Sequence, residues 1–274
     1  MPKSLPTVHM VVKNEDRFIY YAVKSVLPYV GKIFICDTGS TDKTIEIIKS
    51  ISDKKIKLTQ EHITSPKELS LVRQKQIEET ETDWFWIVDG DEIYTERLCR
   101  EILDIISTSE EKREGIVVGR YDLLGDIYNC QVKTVGTYNL FEKKGHFVLR
   151  LINKSNIKGL HVAGIYPLEG YYDGSGTELI HHDKTKYVFT ENKLWHAMYL
   201  KRSSQGGNLQ NTLHRHNYKT ERGYPISKAQ TLPEVFFQKI PDNIEPVNLK
   251  RSLAYEIISR LITPVKRFKR LLIK

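Results

Sequence analysis

Apolar positions in the first third of the chain follow two alternating patterns. TVHMVV (7–12), KIFICD (32–37), KIKLTQ (55–60) and WFWIV (84–88) are short, β-branched or aromatic runs that read as buried strands. The segments between them carry apolar residues at helical spacing instead. In RFIYYAVKSVL (17–27) these are Ile19, Ala22, Val23 and Val26, with Pro28 as the stop; in KTIEIIKSI (43–51) they are Ile45, Ile48 and Ile51, with Asp42 placed to cap. SPKELSLVRQKQIEET (65–80) predicts a helix with Ser65 as N-cap, Pro66 at the first position and Glu68 completing a capping box. Strands alternating with helices predict an α/β fold built on a doubly wound, mostly parallel sheet.

A different texture follows the helix ERLCREILDIIS (96–107). GIVVGRYDLL (115–124), CQVKTVGTYNLF (130–141) and HFVLRLI (146–152) are strand-like, and EKKG (142–145) is a hairpin signal, so the second half is expected to be smaller, mixed and partly antiparallel. ENKLWHAMYLKRS (191–203) reads as a helix. The stretch from Ser203 to Gly223 is polar, and its His214, Arg215 and His216 read as solvated. Without an internal repeat or low-complexity linker, residues 1–246 are expected to form one domain with halves 1–110 and 111–246, followed by a tail, 247–274. In that tail Leu249, Leu253, Ile257, Leu261, Val265, Phe268 and Leu272 recur every three or four residues with bases on the opposite face, an amphipathic helix that Pro264 is placed to kink.

Charge changes the picture of the tail. Of the net charge of +8, nearly all lies beyond Leu249, where eight Lys and Arg face a single acid, Glu256. A near-neutral body argues against a nucleic-acid-coating surface, and the basic helix points to peripheral contact with anionic lipid or to packing on the domain or on a second copy of the chain. Three cysteines at spacings that suit neither a disulfide framework nor a zinc site are expected to be reduced. No window has the roughly 18 apolar residues of a membrane span, and the start of the sequence lacks a signal-peptide pattern, so the expected location is cytoplasmic, at the inner face of the membrane.

In a doubly wound sheet, ligands bind outside the carboxyl ends of the strands. Asn14 and Glu15 follow the first strand, Asp37 ends the second, and Asp89 and Asp91 follow the fourth. A carboxylate such as Asp37 is suited to accept from a ribose or a base edge. Asp89 and Asp91, with Gly90 allowing a tight turn between them, can aim at one hard divalent cation, Mg or Mn, whose other positions take phosphate oxygens.

VVKNEDRFIYYAVKSVLPYVGKIFICDTGSTDKTIEII and LVRQKQIEETETDWFWIVDGDE resemble family 2 glycosyltransferases of the GT-A fold, in the branch with a VKNE start and a DTGSTD turn, with DGD as the Asp-X-Asp motif. The likeness covers residues 7 to 95. It implies a nucleotide-sugar site lined by Val12, Asn14, Glu15, Asp37, Arg73, Asp89 and Gly90, and a metal, Mn2+ or Mg2+, held by Asp89 and Asp91 with a later histidine. In TELIHHD (177–183) His182, or its neighbour His181, is the candidate for that histidine. The resemblance also implies an inverting transfer, at a centre that includes Asp91, to a glycan or lipid-linked glycan in polysaccharide biosynthesis. An acceptor base is implied as well, and Glu169 and Asp173 are its two candidates, since LHVAG keeps His161 but has no following acid. Val11, Val12 and Lys13 replace the family's usual residues there, so the base need not be uracil. Gln74 and Gln76 replace the usual Asn and Gly after Arg73. The alternatives are a sugar nucleotidyltransferase, which would carry a Gly-rich loop after the first strand where VVKNED has none, and a nucleotide- or carbohydrate-binding module without catalysis.

Overall fold

A computed structural model describes residues 4–108, 112–204, 219–227 and 230–272; His214, Arg215 and His216 lie outside them. The first half alternates as its pattern predicts: β1 (Thr7–Val12), α1 (Ile19–Val26), β2 (Lys32–Asp37), α2 (Thr44–Ile51), β3 (Ile56–Gln60), α3 (Glu68–Glu78) and β4 (Trp84–Ile87). These strands lie in parallel in the order β3-β2-β1-β4. Both faces of β1 are buried, with Val8, Met10 and Val12 on one and Thr7 and His9 on the other, as expected of a central parallel strand covered by helices on both sides.

After β5 (Glu92–Ile93) and α4 (Glu96–Thr108) the sheet becomes mixed through β6 (Gly115–Leu124), β7 (Asp126–Cys130), the hairpin β8 (Tyr138–Leu140) and β9 (Lys143–Gly145), and β10 (Phe147–Asn153). Strand β10 runs antiparallel between β4 and β6 and so joins the two halves into one sheet. A small pair, β11 (His161–Ala163) with β12 (Gly170–Tyr172), lies apart from it, and β13 (Tyr187–His196), β14 (Tyr224–Pro225) and α5 (Leu253–Leu272) complete the order. One apolar cluster runs from Val8 and Ile35 through Trp86 to Leu194 and Trp195, so both halves share a core.

Several expectations change. The segment 191–203 is not a helix: its first half belongs to β13, which pairs in parallel with β6 and antiparallel with β5. The helical spacing of its apolar residues is overridden by two available sheet neighbours, with the register shifting between Phe189 and Lys193 to accommodate both. CQVKTVGTYNLF does not form one strand, since residues 131–137 lie between β7 and β8. Helix α3 begins at Glu68 rather than Pro66; the Glu68 carboxylate does reach back, accepting from Thr64 N–H at 2.8 Å. In the tail, α5 continues through Pro264, placed on an exposed face. Cys36, Cys99 and Cys130 are free and buried. Among the described residues no helix is long and apolar enough to cross a membrane.

Candidate functional site

The carboxyl ends of β1, β2 and β4 lie side by side because β1 pairs in parallel with both neighbours, and the crossover from β3 to β4 reverses the strand order there. Val12, the last residue of β1, faces Asp37 in register. Beyond it Asn14 takes a left-handed conformation, φ 54°, which an Asn tolerates better than most residues. Its N–H donates to Ser40 Oγ and its Oδ1 accepts from Thr41 N–H, both at 2.8 Å, tying the loop after β1 to the turn after β2. Asp42 Oδ1 accepts from Thr44 N–H at 2.9 Å at the start of α2.

Asp37 is 1% exposed. Its Oδ2 accepts from Gly39 and Ser40 N–H at 3.0 and 2.9 Å, and Gly39 itself has φ 95°, a conformation that favours glycine. Its Oδ1 is buried with no hydrogen-bond partner among the described residues. A buried acceptor in that condition is costly unless a donor arrives.

The Asp89-Gly90-Asp91 turn lies directly against this loop. A Cβ at Gly90 would stand 3.0 Å from Glu15 Cγ and 3.2 Å from Val12 Cγ1, so glycine allows this approach without crowding. Three cations face the turn. Arg150 of β10 reaches Asp89 Oδ2 at 2.8 Å and the fully buried Glu92 at 2.5 Å. Arg202 reaches Glu15 at 2.8 Å and Asp91 Oδ2 at 3.3 Å. His196, at the end of β13, presents Nε2 to Asp91 Oδ2 and Nδ1 to Asp122 Oδ1, each at 3.4 Å. Burial alone would lower the His196 pKa, but Asp91 and Asp122 together lift it to about 10. Burial alone would raise Asp122, yet His146, His196 and Arg120 hold it well below the usual carboxylate range. Glu92 is raised, because its burial outweighs the attraction of Arg150.

His182, the sequence candidate for the metal, sits elsewhere: Glu114 takes its Nδ1 at 2.7 Å and Asp173 faces its Nε2 at 3.4 Å. His181 is mostly exposed beside Glu178. The histidine that the structure brings to Asp91 is His196. The helical spacing of residues 191–203 masks a strand that ends beside the acids; a histidine closing a buried run is the sign the sequence offers. Arg150 was also legible in principle, as a charge inside the otherwise apolar HFVLRLI. Arg202 lies where β13 has already ended and nothing local marks it.

The two candidate bases separate. Asp173 closes its own turn, accepting from Ser175 and Thr177 N–H at 2.9 and 3.0 Å. Glu169 is largely buried against Arg73, 3.4 Å away, and the charge of Asp89 acts on both. Burial raises the Glu169 pKa although Arg73 opposes it, and its Oε2 has no hydrogen-bond partner among the described residues. Arg73, on α3, thus has Glu169 as its ion-pair partner. No group of three or more His, Cys, Asp or Glu among the described residues is arranged to hold a metal ion.

Comparison with known proteins bears on this arrangement. The family model described as glycosyl transferase family 2 matches residues 7–156, more than half of the chain. The SPbeta prophage-derived glycosyltransferase SunS of Bacillus subtilis (strain 168) is 28% identical over 126 residues, covering 45% of this chain and 29% of that protein. An uncharacterized glycosyltransferase of Rickettsia bellii (strain RML369-C) is 30% identical over 106 residues, 38% of this chain and 33% of that protein. The chain therefore matches about a third of the length of these curated relatives. Among solved structures, residues 1–349 of S. aureus TarS are similar over 54% of this chain and 47% of that one, with 13% identity and a TM-score of 0.41. Glucosyl-3-phosphoglycerate synthase from Mycobacterium tuberculosis, crystallised with Mn2+ and UDP-glucose, is similar over 44% of each chain, with 18% identity and a TM-score of 0.34.

Proposed function

The chain belongs to glycosyl transferase family 2, and from that premise we propose that it moves a sugar from a nucleotide-diphosphate donor to an acceptor hydroxyl on a glycan or lipid-linked glycan, with inversion. The observation that carries the reading is the convergence, at the strand-order reversal, of a buried Asp37 oxygen lacking a donor with the Asp91–His196 pair backed by Asp122. Asp37 Oδ1 is suited to accept from a nucleobase or ribose; Val12 pairs in register with Asp37, Gly90 lies against Val12, and Asn14 ties the neighbouring turn.

Asp91 and His196 are the pair of this set that suits a divalent cation, short of a three-residue group among the described residues. Asp91 and His196 would supply one hard oxygen and one imidazole nitrogen, with Asp89 adjacent, and the carboxylate behind Nδ1 would fix which nitrogen faces inward. When bound, Mn2+ or Mg2+ would offset the charge of the leaving diphosphate. Arg202, beside Asp91, and Arg150, beside Asp89, are placed to face phosphate oxygens as well. Glu169 is our base: raised by burial, it accepts the acceptor hydroxyl proton as that oxygen bonds to the anomeric carbon and the bond to the diphosphate breaks. Arg73 holds its carboxylate in place.

A thermal-shift screen against UDP, GDP, CDP and TDP, each with Mn2+, Mg2+ or EDTA, tests the donor site. A nucleotide-specific rise that EDTA removes and Asp91→Asn abolishes supports it. No rise with any pair would overturn it, and binding without sugar transfer or donor hydrolysis would favour the binding module.

A further inference from the structure

Helix α5 is mounted the wrong way round for a helix that seeks a protein core. Its inward side is polar: Tyr255 OH donates to Lys219 O at 2.8 Å, Thr263 Oγ1 accepts from Arg222 N–H at 2.8 Å, and Arg270 reaches the buried Glu221 at 2.5 Å. Arg251 N–H donates to Asp126 Oδ2 at 3.1 Å, and the Tyr255 ring lies so close to Gly125 that a Cβ there would stand 2.7 Å from it. These contacts fix the rotation of the helix about its axis. They leave Leu253, Ile257, Leu261, Val265, Phe268 and Leu272 in solvent, between 54% and 77% exposed.

At about 100° per residue these side chains span an arc of roughly 120°, along a helix roughly 30 Å long. Bases line both edges of that arc: Arg260 and Arg267 fall just outside one edge, and Lys269 beyond the other. We propose that this face of α5 docks on the surface of a bilayer containing anionic phospholipid, with the apolar stripe in the acyl boundary and Arg260, Arg267 and Lys269 against headgroup phosphates. The charge pattern selects lipid over a second copy of the chain. Two such stripes pressed together would bring their flanking bases into proximity, and the helix offers one acid, Glu256, which Arg251 already engages at 2.6 Å. A layer of anionic headgroups neutralises the same bases, and long basic side chains flanking an apolar face extend naturally to headgroup level.

The test is sedimentation of the full chain with vesicles of phosphatidylcholine alone and of phosphatidylcholine mixed with an equal amount of phosphatidylglycerol. The protein is expected to sediment with the mixed vesicles at low salt, to stay in solution with the neutral ones, and to lose affinity as salt rises. Leu261→Ser/Phe268→Ser should weaken binding at least about tenfold, and each of Arg267→Glu and Lys269→Glu by about fivefold or more. Because all four side chains are exposed, the variants should keep the wild-type melting temperature and nucleotide response, which separates failure here from failure of the donor site. Absence of binding to the mixed vesicles, unchanged binding by the double variant, or a dimer in light scattering that the double variant dissociates would each overturn the proposal.

Discussion

His196 Nε2 lies 3.4 Å from Asp91 Oδ2, while the opposite ring nitrogen faces Asp122 Oδ1 at the same distance. The imidazole therefore bridges a carboxylate at the candidate site and one in the interior. Without a cation it carries a proton held up to about pH 10. A metal taking Nε2 must displace that proton. Apparent Mn2+ affinity is thus expected to rise up to about tenfold per pH unit below pH 10, and His196→Ala to remove that dependence along with about 10- to 100-fold of affinity. Titration of Mn2+ with nucleotide present, followed by calorimetry at several pH values, measures both; a flat profile in the wild type would exclude His196 as a ligand.

Arg150 is the partner of a carboxylate that has no access to water. With Glu92 fully buried, Arg150→Met leaves an uncompensated acid and is expected to cost about 3–5 kcal/mol of stability. Adding Glu92→Gln should recover part of that loss. Urea melts of the four proteins in the cycle give the coupling, and additive losses would mean the pair does not act as a unit.

Acid should weaken the protein through His9. Burial, with smaller contributions from Arg73 and Lys154, lowers its pKa to about 3, and the neutral ring stacks on Phe85 at 4.6 Å and bonds Thr80 Oγ1 at 2.6 Å. The unfolded chain takes up this proton near pH 6.5 and the folded chain only near 3, so stability falls as pH drops through that window, by up to about 1.4 kcal/mol per unit. Between pH 6.5 and 5 the loss from this group is about 1.6 kcal/mol. His9→Gln should be less stable than wild type at neutral pH, with the gap closing toward pH 5.

Gly90→Ala tests the closeness of the two loops. The added methyl meets Glu15 and Val12 side-chain atoms at 3.0–3.2 Å, so those side chains or the turn must give way slightly. A stability cost of about 1–3 kcal/mol is expected, with a weaker nucleotide-induced rise in melting temperature because Asp89 and Asp91 move with the turn. A variant that binds nucleotide as the wild type does would show that the turn position is immaterial.

The amino-acid sequence by itself determined the parallel half. Strands β1 to β4 and their helices are short, locally patterned elements whose periodicity survives in the fold, and the acids at their carboxyl ends were placed by topology alone. It also determined that the tail is an amphipathic helix, since Leu253 to Leu272 repeat at 3.6-residue spacing whatever covers them. Tertiary structure alone decided which cations meet those acids. Arg150 lies 58 residues from Glu92 and 61 from Asp89 along the chain, and Arg202 lies 111 from Asp91 and 187 from Glu15. No local pattern reports a pairing over such distances. It likewise brought His196 beside Asp91, because β13 became a strand only by finding β6 and β5 beside it, and sheet pairing is a non-local interaction that overrides helical spacing within a segment. The direction in which α5 faces was decided the same way: periodicity shows that a helix has two faces, and only the contacts of Tyr255, Thr263 and Arg270 show which one the protein keeps.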